Sequence, residues 1–404
     1  MKRAMQMKLK NLIIISFTCL CIWGCHSRPT EYIPWESVPT EQMGRKSVRA
    51  AVLLPLSGKS AAIGEAFQNS SMMALQEQQG SPLELMFYDT KGTAEGTTNA
   101  WQLAKRQHPD VVIGPVFAPE VKALKVESPD VAVLSFTTDS SLMESGVYTL
   151  GVLIPNQIER LVSFMCEAGQ RKIAVMGPED KTAELTMNTL SEAVQACPGM
   201  SLKHVALYAP ETSDFRETIS KIIPTLVDPR KTKLTERERK ILDTPIEERL
   251  DFDALLIFEN GIRLQQLTSL LAYYDVSPKV VPFYGLANWQ EIRDRGLIGG
   301  YFAATPVARS EFFNNRYRDL FGAYPPRIAA LAYDAVSLVA VLADRNALTA
   351  HNLVSPTGFN GVNGRFRFKS NGLNERLLDV YQITPSLKSG TISPAPDTFD
   401  YIPL

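Results

Sequence analysis

The candidate chemistry of this chain lies in short polar clusters that follow apolar runs. Ser57 stands in Pro55-Leu-Ser-Gly58, Asp89 ends an apolar run, and Phe117 follows Gly114-Pro115. Thr137 and Asp139 belong to Phe136-Thr-Thr-Asp-Ser-Ser141, and Glu259 and Asn288 occupy similar places further on. Hydroxyls, carboxylates and amides placed this way hold a polar ligand by hydrogen bonds. Bond-breaking chemistry needs more. There is no Gly-x-Ser-x-Gly elbow, and Pro55-Leu-Ser-Gly-Lys-Ser60 resembles the end of a phosphate-binding loop without its leading glycine. The four histidines, at positions 26, 108, 204 and 351, lack metal-ligand spacing. No enzyme, no metal and no cofactor is therefore expected.

The elements that must position these residues alternate between short β-rich runs and helix-length amphipathic segments, as in parallel βαβ units. Strands are predicted over 50–54, 83–88, 110–113 and 131–135, with helices over 65–79, 96–107 and 120–126 between them. A second series starts after residue 155, with strands over 172–176, 203–208, 252–258, 280–284 and 300–304. Its rhythm breaks at 224–250, a charged insertion that reads as a solvated face around a short helix. Helices over 310–321 and 327–342 follow, then β-like 364–368 and 376–383. The fold class expected is α/β, with two doubly wound parallel-sheet lobes and a hinge cleft. In such sheets ligands bind beyond the carboxyl ends of the strands, where the polar clusters lie. Ser57, Asp89, Phe117, Thr137, Asp139, Glu259 and Asn288 are accordingly the ligand-cleft candidates. Asp89 also reads as a turn residue capping its own loop, and Thr137 as a hydroxyl bonded to nearby backbone. Trp289 reads as a cleft wall or a surface staple.

The N-terminal residues set the address. Lys2, Arg3, Lys8 and Lys10 precede an apolar stretch over 12–23, the layout of a secretory signal, and Ile22-Trp-Gly-Cys25 resembles a bacterial lipobox. Cys25 is the expected lipidation site, which makes the membrane a partner through a lipid anchor. His26 in the next position, rather than aspartate, resembles outer-membrane sorting. Residues 1–24 are then the lipoprotein signal and 25–47 a tether, whose flexible span is about 25 Å. Hydrophobic residues at 45% and charged residues at 21% are ordinary globular values, and a net charge of −1 gives no pull towards nucleic acid. Of the remaining cysteines, Cys166 and Cys197 either form a disulfide in an oxidising compartment or remain as two buried thiols.

Ala51-Val-Leu-Leu-Pro-Leu-Ser-Gly58, Ala62-Ile-Gly64, Tyr88-Asp-Thr-Lys-Gly92 and Val112-Ile-Gly-Pro115 resemble the leucine/isoleucine/valine-binding branch of type I periplasmic binding proteins. That resemblance implies two lobes joined by three crossings, near 150–155, 303–306 and 356–364. It implies lobe 1 over 48–149 and 304–357, lobe 2 over 150–303 and 358–385, and a tail over 386–404. In that branch a serine and a threonine help to hold the ligand carboxylate; here Ala118 and Asp139 stand at those places. A small-molecule ligand in the cleft is expected to differ from a plain amino acid. Leu134-Ser-Phe-Thr-Thr-Asp139, Gly146-Val-Tyr-Thr-Leu-Gly151, Pro325-Pro-Arg-Ile-Ala-Ala-Leu-Ala-Tyr-Asp-Ala335 and Gly358-Phe-Asn-Gly-Val-Asn-Gly-Arg-Phe-Arg367 are similar to alphaproteobacterial lipoproteins termed penicillin-binding-protein activators. This second resemblance implies regulation of a peptidoglycan synthase as partner. The alternative is a substrate-binding component of an importer of the branched-chain amino acid type.

Overall fold

The computed structural model describes residues 47–399, apart from Pro224 and the side chain of Arg309. The signal, Cys25, nearly all of the tether and the last residues of the tail lie outside the described residues. The chain opens with β1 (Val48–Leu54), α1 (Ala61–Glu77), β2 (Leu83–Asp89), α2 (Ala94–Lys105), β3 (Val111–Ile113), α3 (Ala118–Val126), β4 (Ala132–Ser135) and β5 (Val147–Thr149). These strands form a parallel sheet in the order β2-β1-β3-β4-β5. β1 is apolar at nearly every position because both faces of its sheet are covered. Ala50, Val52 and Leu54 enter one core, and Ala51 and Leu53 enter the other, against Trp101 of α2 and Val121 and Leu124 of α3. The period of two along the strand thus divides one apolar run between two helix layers.

The second half repeats the plan with α4 (Ile154–Glu167), β6 (Lys172–Pro178), α5 (Lys181–Ala196), β7 (Ser201–Tyr208), α6 (Arg216–Ile222), α7 (Glu236–Asp243), α8 (Ile246–Arg249), β8 (Ala254–Ile257), α9 (Gly261–Tyr273), β9 (Phe283–Gly285) and β10 (Tyr301–Ala304). Here Ala174 and Met176 of β6 face α6 and α9, while Ile173 and Val175 face α4 and α5. Cys166, near the end of α4, and Cys197, just past α5, are joined by a disulfide. The charged insertion is pinned to this lobe by buried Val227 and Ile246, whereas α7 buries nothing. The Tyr273 hydroxyl donates to Asp228 at 2.5 Å, and Arg230 lies 4.9 Å above the Tyr273 ring.

The chain then returns through α10 (Val307–Phe321), α11 (Ala330–Asp344) and α12 (Ala350–Leu353) to β11 (Phe359–Gly361), β12 (Gly364–Phe368) and β13 (Asn374–Arg376), and ends in β14 (Asp379–Ile383) and β15 (Ser389–Ser393). The second sheet runs β15-β14-β10-β9-β8-β6-β7, and β11-β12-β13 form a sheet of their own. Two expected boundaries are corrected here. Residues 359–376 are not part of the second lobe, because Phe366 and Phe368 are buried in the first lobe's core beside Tyr148. The return to the second sheet falls between β13 and β14, not at 356–364. The tail is also not wholly irregular, since β15 pairs antiparallel with β14 and Arg160 of α4 donates to the Leu378 carbonyl and to Ser393 beside it.

Buried polar side chains brace the crossings. The Asn374 amide donates to the carbonyls of Thr149 and Gly151, both at 2.7 Å, and accepts from Asn156 at 2.9 Å. Arg376 donates to the Leu150 and Asn363 carbonyls, each at 3.0 Å. Asp334 of α11 is buried and accepts from the Val362 amide at 2.6 Å. Burial pushes its carboxyl up to about 6, against the pull of Arg376 and the two amides it faces.

Candidate functional site

The two parallel series have the same spatial order, 2-1-3-4-5, so each sheet has a topological switch point between its first and third strands. In the first lobe this point lies between β1 and β3. Ser57 follows β1, and its amide and hydroxyl donate to Asp89 at 3.1 and 2.5 Å. Asp89 also accepts from the Lys91 amide at 2.8 Å. Partial burial raises the Asp89 pKa, but these bonds from Ser57 and Lys91 outweigh it and hold the carboxylate below its usual range. Phe117 precedes α3 and packs against the first core, and its amide donates to Glu120 at 2.8 Å. Glu120 is fully buried and also accepts from the Thr90 hydroxyl. Burial pushes the Glu120 carboxyl up.

At the end of β4, Thr137 is buried and its hydroxyl accepts from the Asp139 amide at 3.1 Å. Asp139 accepts in turn from the Ser141 amide and hydroxyl at 3.1 and 2.6 Å. The five first-lobe candidates therefore stand at the carboxyl edge of the sheet, but their polar groups are engaged with one another and with local backbone. The turn-capping reading of Asp89 describes its bond from the Lys91 amide, whereas its bonds from Ser57 come from another loop.

The second lobe differs. Beyond β6, β8 and β9 lies a cavity of about 300 Å³ whose walls include Ile154, Gln157, Asp180, Phe258, Asn260 and Leu286. Glu259 and Asn288 line it together, and the five first-lobe candidates do not. Phe258 is its aromatic wall residue, and two glycines leave room for the rings of Phe258 and of the buried Trp289. A Cβ on Gly177 would lie 2.1 Å from the Phe258 ring, and one on Gly285 would lie 2.0 Å from the Trp289 ring. Trp289 is thus neither cleft wall nor surface staple; it is 1% exposed and donates to the Glu259 carbonyl at 3.3 Å. Glu259 accepts from the Tyr208 hydroxyl at 2.9 Å, from Arg263 at 3.0 Å and from the Asn260 amide at 3.0 Å. Burial and the neighbouring Glu259 carboxylate together push the Tyr208 hydroxyl far up. Asp180 caps α5, accepting from the amides of Thr182 and Ala183 at 2.8 and 3.1 Å. Gln157 accepts from the Ala287 amide at 2.8 Å and so ties α4 to the loop that carries Asn288.

Several of these residues escape a reading of motifs. Asp180 and Asn260 carry a local signal, a polar residue just before a helix in a turn that follows a strand. Glu120 stands three residues after the helix cap, where a capping box has its acid, but Phe117 in the cap position leaves that signal incomplete. Gln157 carries none, because its role depends on a loop 130 residues away. Across the lobes, Arg327 donates to Glu291 at 3.4 Å, close to the Asn288 loop. A larger surface hollow of about 620 Å³ lies away from this cavity, between α6 and α9. The described residues contain no cluster of three or more potential metal ligands, and no helix among them is long and apolar enough to cross a membrane.

Similar proteins agree on this architecture. An uncharacterised protein of Rickettsia prowazekii (strain Madrid E) is 20% identical over 221 residues, which span 54% of this chain and 56% of that protein. The chain thus spans about half the length of the curated relative it matches. A protein described as a branched-chain amino acid ABC transporter from Rhodospirillum rubrum superposes with a TM-score of 0.69 at 16% identity, over 86% of this chain and 100% of that one. A branched-chain amino acid transporter substrate-binding protein from Streptococcus pneumoniae, solved with isoleucine, gives 0.55 at 18% over 87% and 100%. An R. palustris solute-binding protein, solved with benzoate, gives 0.54 at 14% over 87% and 98%. At these identities the likeness is one of fold. The family described as Periplasmic binding protein matches residues 47–390, and with two doubly wound lobes and a cavity beyond the strand ends, this chain belongs to that family.

Proposed function

We infer that the chain is a non-enzymatic solute-binding protein of the cell envelope, whose lobes close over a small polar ligand. The cavity at the second sheet's switch point carries this reading, because a crevice there, with polar groups converging from three strand ends, is where open α/β sheets hold ligands. The finer form of the reading is a substrate-binding component of an importer with an altered ligand. A metabolite panel read by thermal shift tests it: a ligand at a hundred times its dissociation constant adds about 2.7 kcal/mol. Closure would also shrink the radius of gyration in solution scattering. A broad panel with no stabilising compound and unchanged scattering would refute the reading. Attachment through Cys25 belongs to the same proposal, and metabolic labelling with palmitate should disappear in Cys25→Ala.

A second reading, regulation of a peptidoglycan synthase, is favoured by the motif runs 325–335 and 358–367 together with the lipobox-like segment. On this reading the lipid anchor keeps the domain beside its partner on the outer membrane's periplasmic face. Purified protein would then change the glycan-polymerising or crosslinking rate of a synthase. Unaltered rates and no complex would leave only the solute-binding reading.

A further inference from the structure

Beyond β15 the chain leaves the second lobe and returns to the first. Arg160 of α4 donates to the Leu378 carbonyl at 2.9 Å, to the Ser393 hydroxyl and to the Pro394 carbonyl at 3.3 Å, which clamps the start of this segment beside the last crossing. The Ala395 amide donates to Asp379 of β14 at 2.8 Å, so this point still belongs to the second sheet. Phe399, four residues on, is 6% exposed. Arg367 of β12 lies 4.5 Å above its ring. Gly358 leaves room for the ring, since a Cβ there would come within 2.8 Å of it, and its φ of +65° disfavours any side chain. Both residues belong to the first lobe: Phe366 and Phe368, either side of Arg367, are buried in its core, and Arg367 donates to Glu375 and, at 3.0 Å, to the Pro356 carbonyl.

The chain therefore passes between the lobes a fourth time, in addition to the crossings near Leu150, Thr305 and Leu377. Lobe rotation turns on a few backbone torsions in such crossings. A long, loose fourth segment would follow that rotation freely, but this one is short and stiff. Pro394 and Pro396 fix two of its φ angles, and the four residues from Ala395 to Phe399 reach about 14 Å at full stretch. With both ends seated, rotation of one lobe against the other must strain the segment or unseat an end. Strand pairing, Arg160 and Asp379 hold the second-lobe end, whereas a single ring holds the other. Phe399 is thus the end that lets go.

We propose that residues 394–399 form a strap across the hinge, in which Phe399 seated on Gly358 and Arg367 restrains the lobes at the mutual angle of this structure, and its release frees them to open and close. The strap deepens the closing-lobe reading above, on which it rests, and governs range of motion rather than choice of ligand.

The test is hydrogen exchange read by mass spectrometry on the full chain and on Phe399→Ala. The amides of Gly151, Val307 and Leu377, one at each crossing, donate to the Thr149 hydroxyl, the Tyr381 hydroxyl and the Arg365 carbonyl, so peptides that contain them report hinge opening. Exchange in those peptides should be about tenfold faster in the variant, with β1 and β6 unchanged. Ile392→Ala, a substitution at a half-exposed position of the same tail, should leave the crossings at their wild-type rates. Unchanged crossings in Phe399→Ala, an acceleration shared by the core strands, or an equal acceleration by Ile392→Ala would each overturn the strap. No ligand enters this experiment, so any of those results leaves solute binding to its own test.

Discussion

The two faces of the crevice are built from the same topology and use their polar residues differently. On the first lobe, Ser57 is tied to Asp89, Thr90 and Phe117 to Glu120, and Thr137 to Asp139. That face is organised by its own bonds. On the second lobe, Asn260 and Asn288 stand exposed on the cavity wall, and the buried bonds lie beside them, at Glu259 and Trp289. Strand-end polar residues can therefore either stiffen a lobe or receive a ligand. Which they do depends on whether a neighbour's donor reaches them first.

Removing the buried ring next to Asn288 should erase this contrast most completely. Trp289→Ala should cost about 3–5 kcal/mol in denaturant unfolding and abolish ligand binding, because the ring fills a core position against Gly285. The disulfide of the same lobe sits at the far ends of α4 and α5, whose N-termini wall the cavity. Replacing Cys166 and Cys197 by serine should cost about 3–4 kcal/mol on chain-entropy grounds for a separation of 31 residues. Unchanged stability on adding reductant to the wild type would contradict it.

The first lobe should show its character in a pH titration. Asp334 has its carboxyl pushed up to about 6 by burial, from 3.8. The folded state therefore binds the extra proton between these values, and its contribution is fully present below about pH 4 and lost as pH rises through about 6. Wild type should lose stability across that window relative to Asp334→Asn, by roughly 1–3 kcal/mol. Parallel curves for the two proteins would place the carboxyl outside the buried network.

A pair of substitutions, one on each face, separates stiffening from binding. Ser57→Ala should cost about 1 kcal/mol of stability and leave ligand affinity unchanged. Asn288→Ala should change stability by less than about 0.5 kcal/mol and weaken the ligand severalfold. The reverse pattern, measured by calorimetry and urea unfolding, would exchange the roles assigned to the two lobes. The weakest response is expected where the lobes touch, at Arg327 and Glu291. Both are well exposed, so reversing one charge should alter stability by less than about 0.5 kcal/mol and leave ligand affinity unchanged, with recovery in the charge-swapped double mutant.

Much of this arrangement is legible in the residues themselves. The continuous apolar run of β1 and the helix-period segments beside it imply parallel strands covered on both faces, and the polar turns after Leu54, Ile113, Ser135 and Ile257 mark the crevice edge. Residues 359–376 mislead because alternation identifies strands without naming the core they cover. Phe366 and Phe368 are compatible with either lobe until Tyr148 is seen beside them.

Local periodicity and turn chemistry suffice to specify the α/β class, the repeated lobe plan and the loops in which ligand contacts must be sought, so these are properties of the amino-acid order alone. Which polar groups remain available to a ligand is a property of packing. The partners that occupy Asp89, Glu120 and Gln157 come from other loops, and a hydrogen bond made across 32, 30 or 130 residues leaves no periodic trace in the chain.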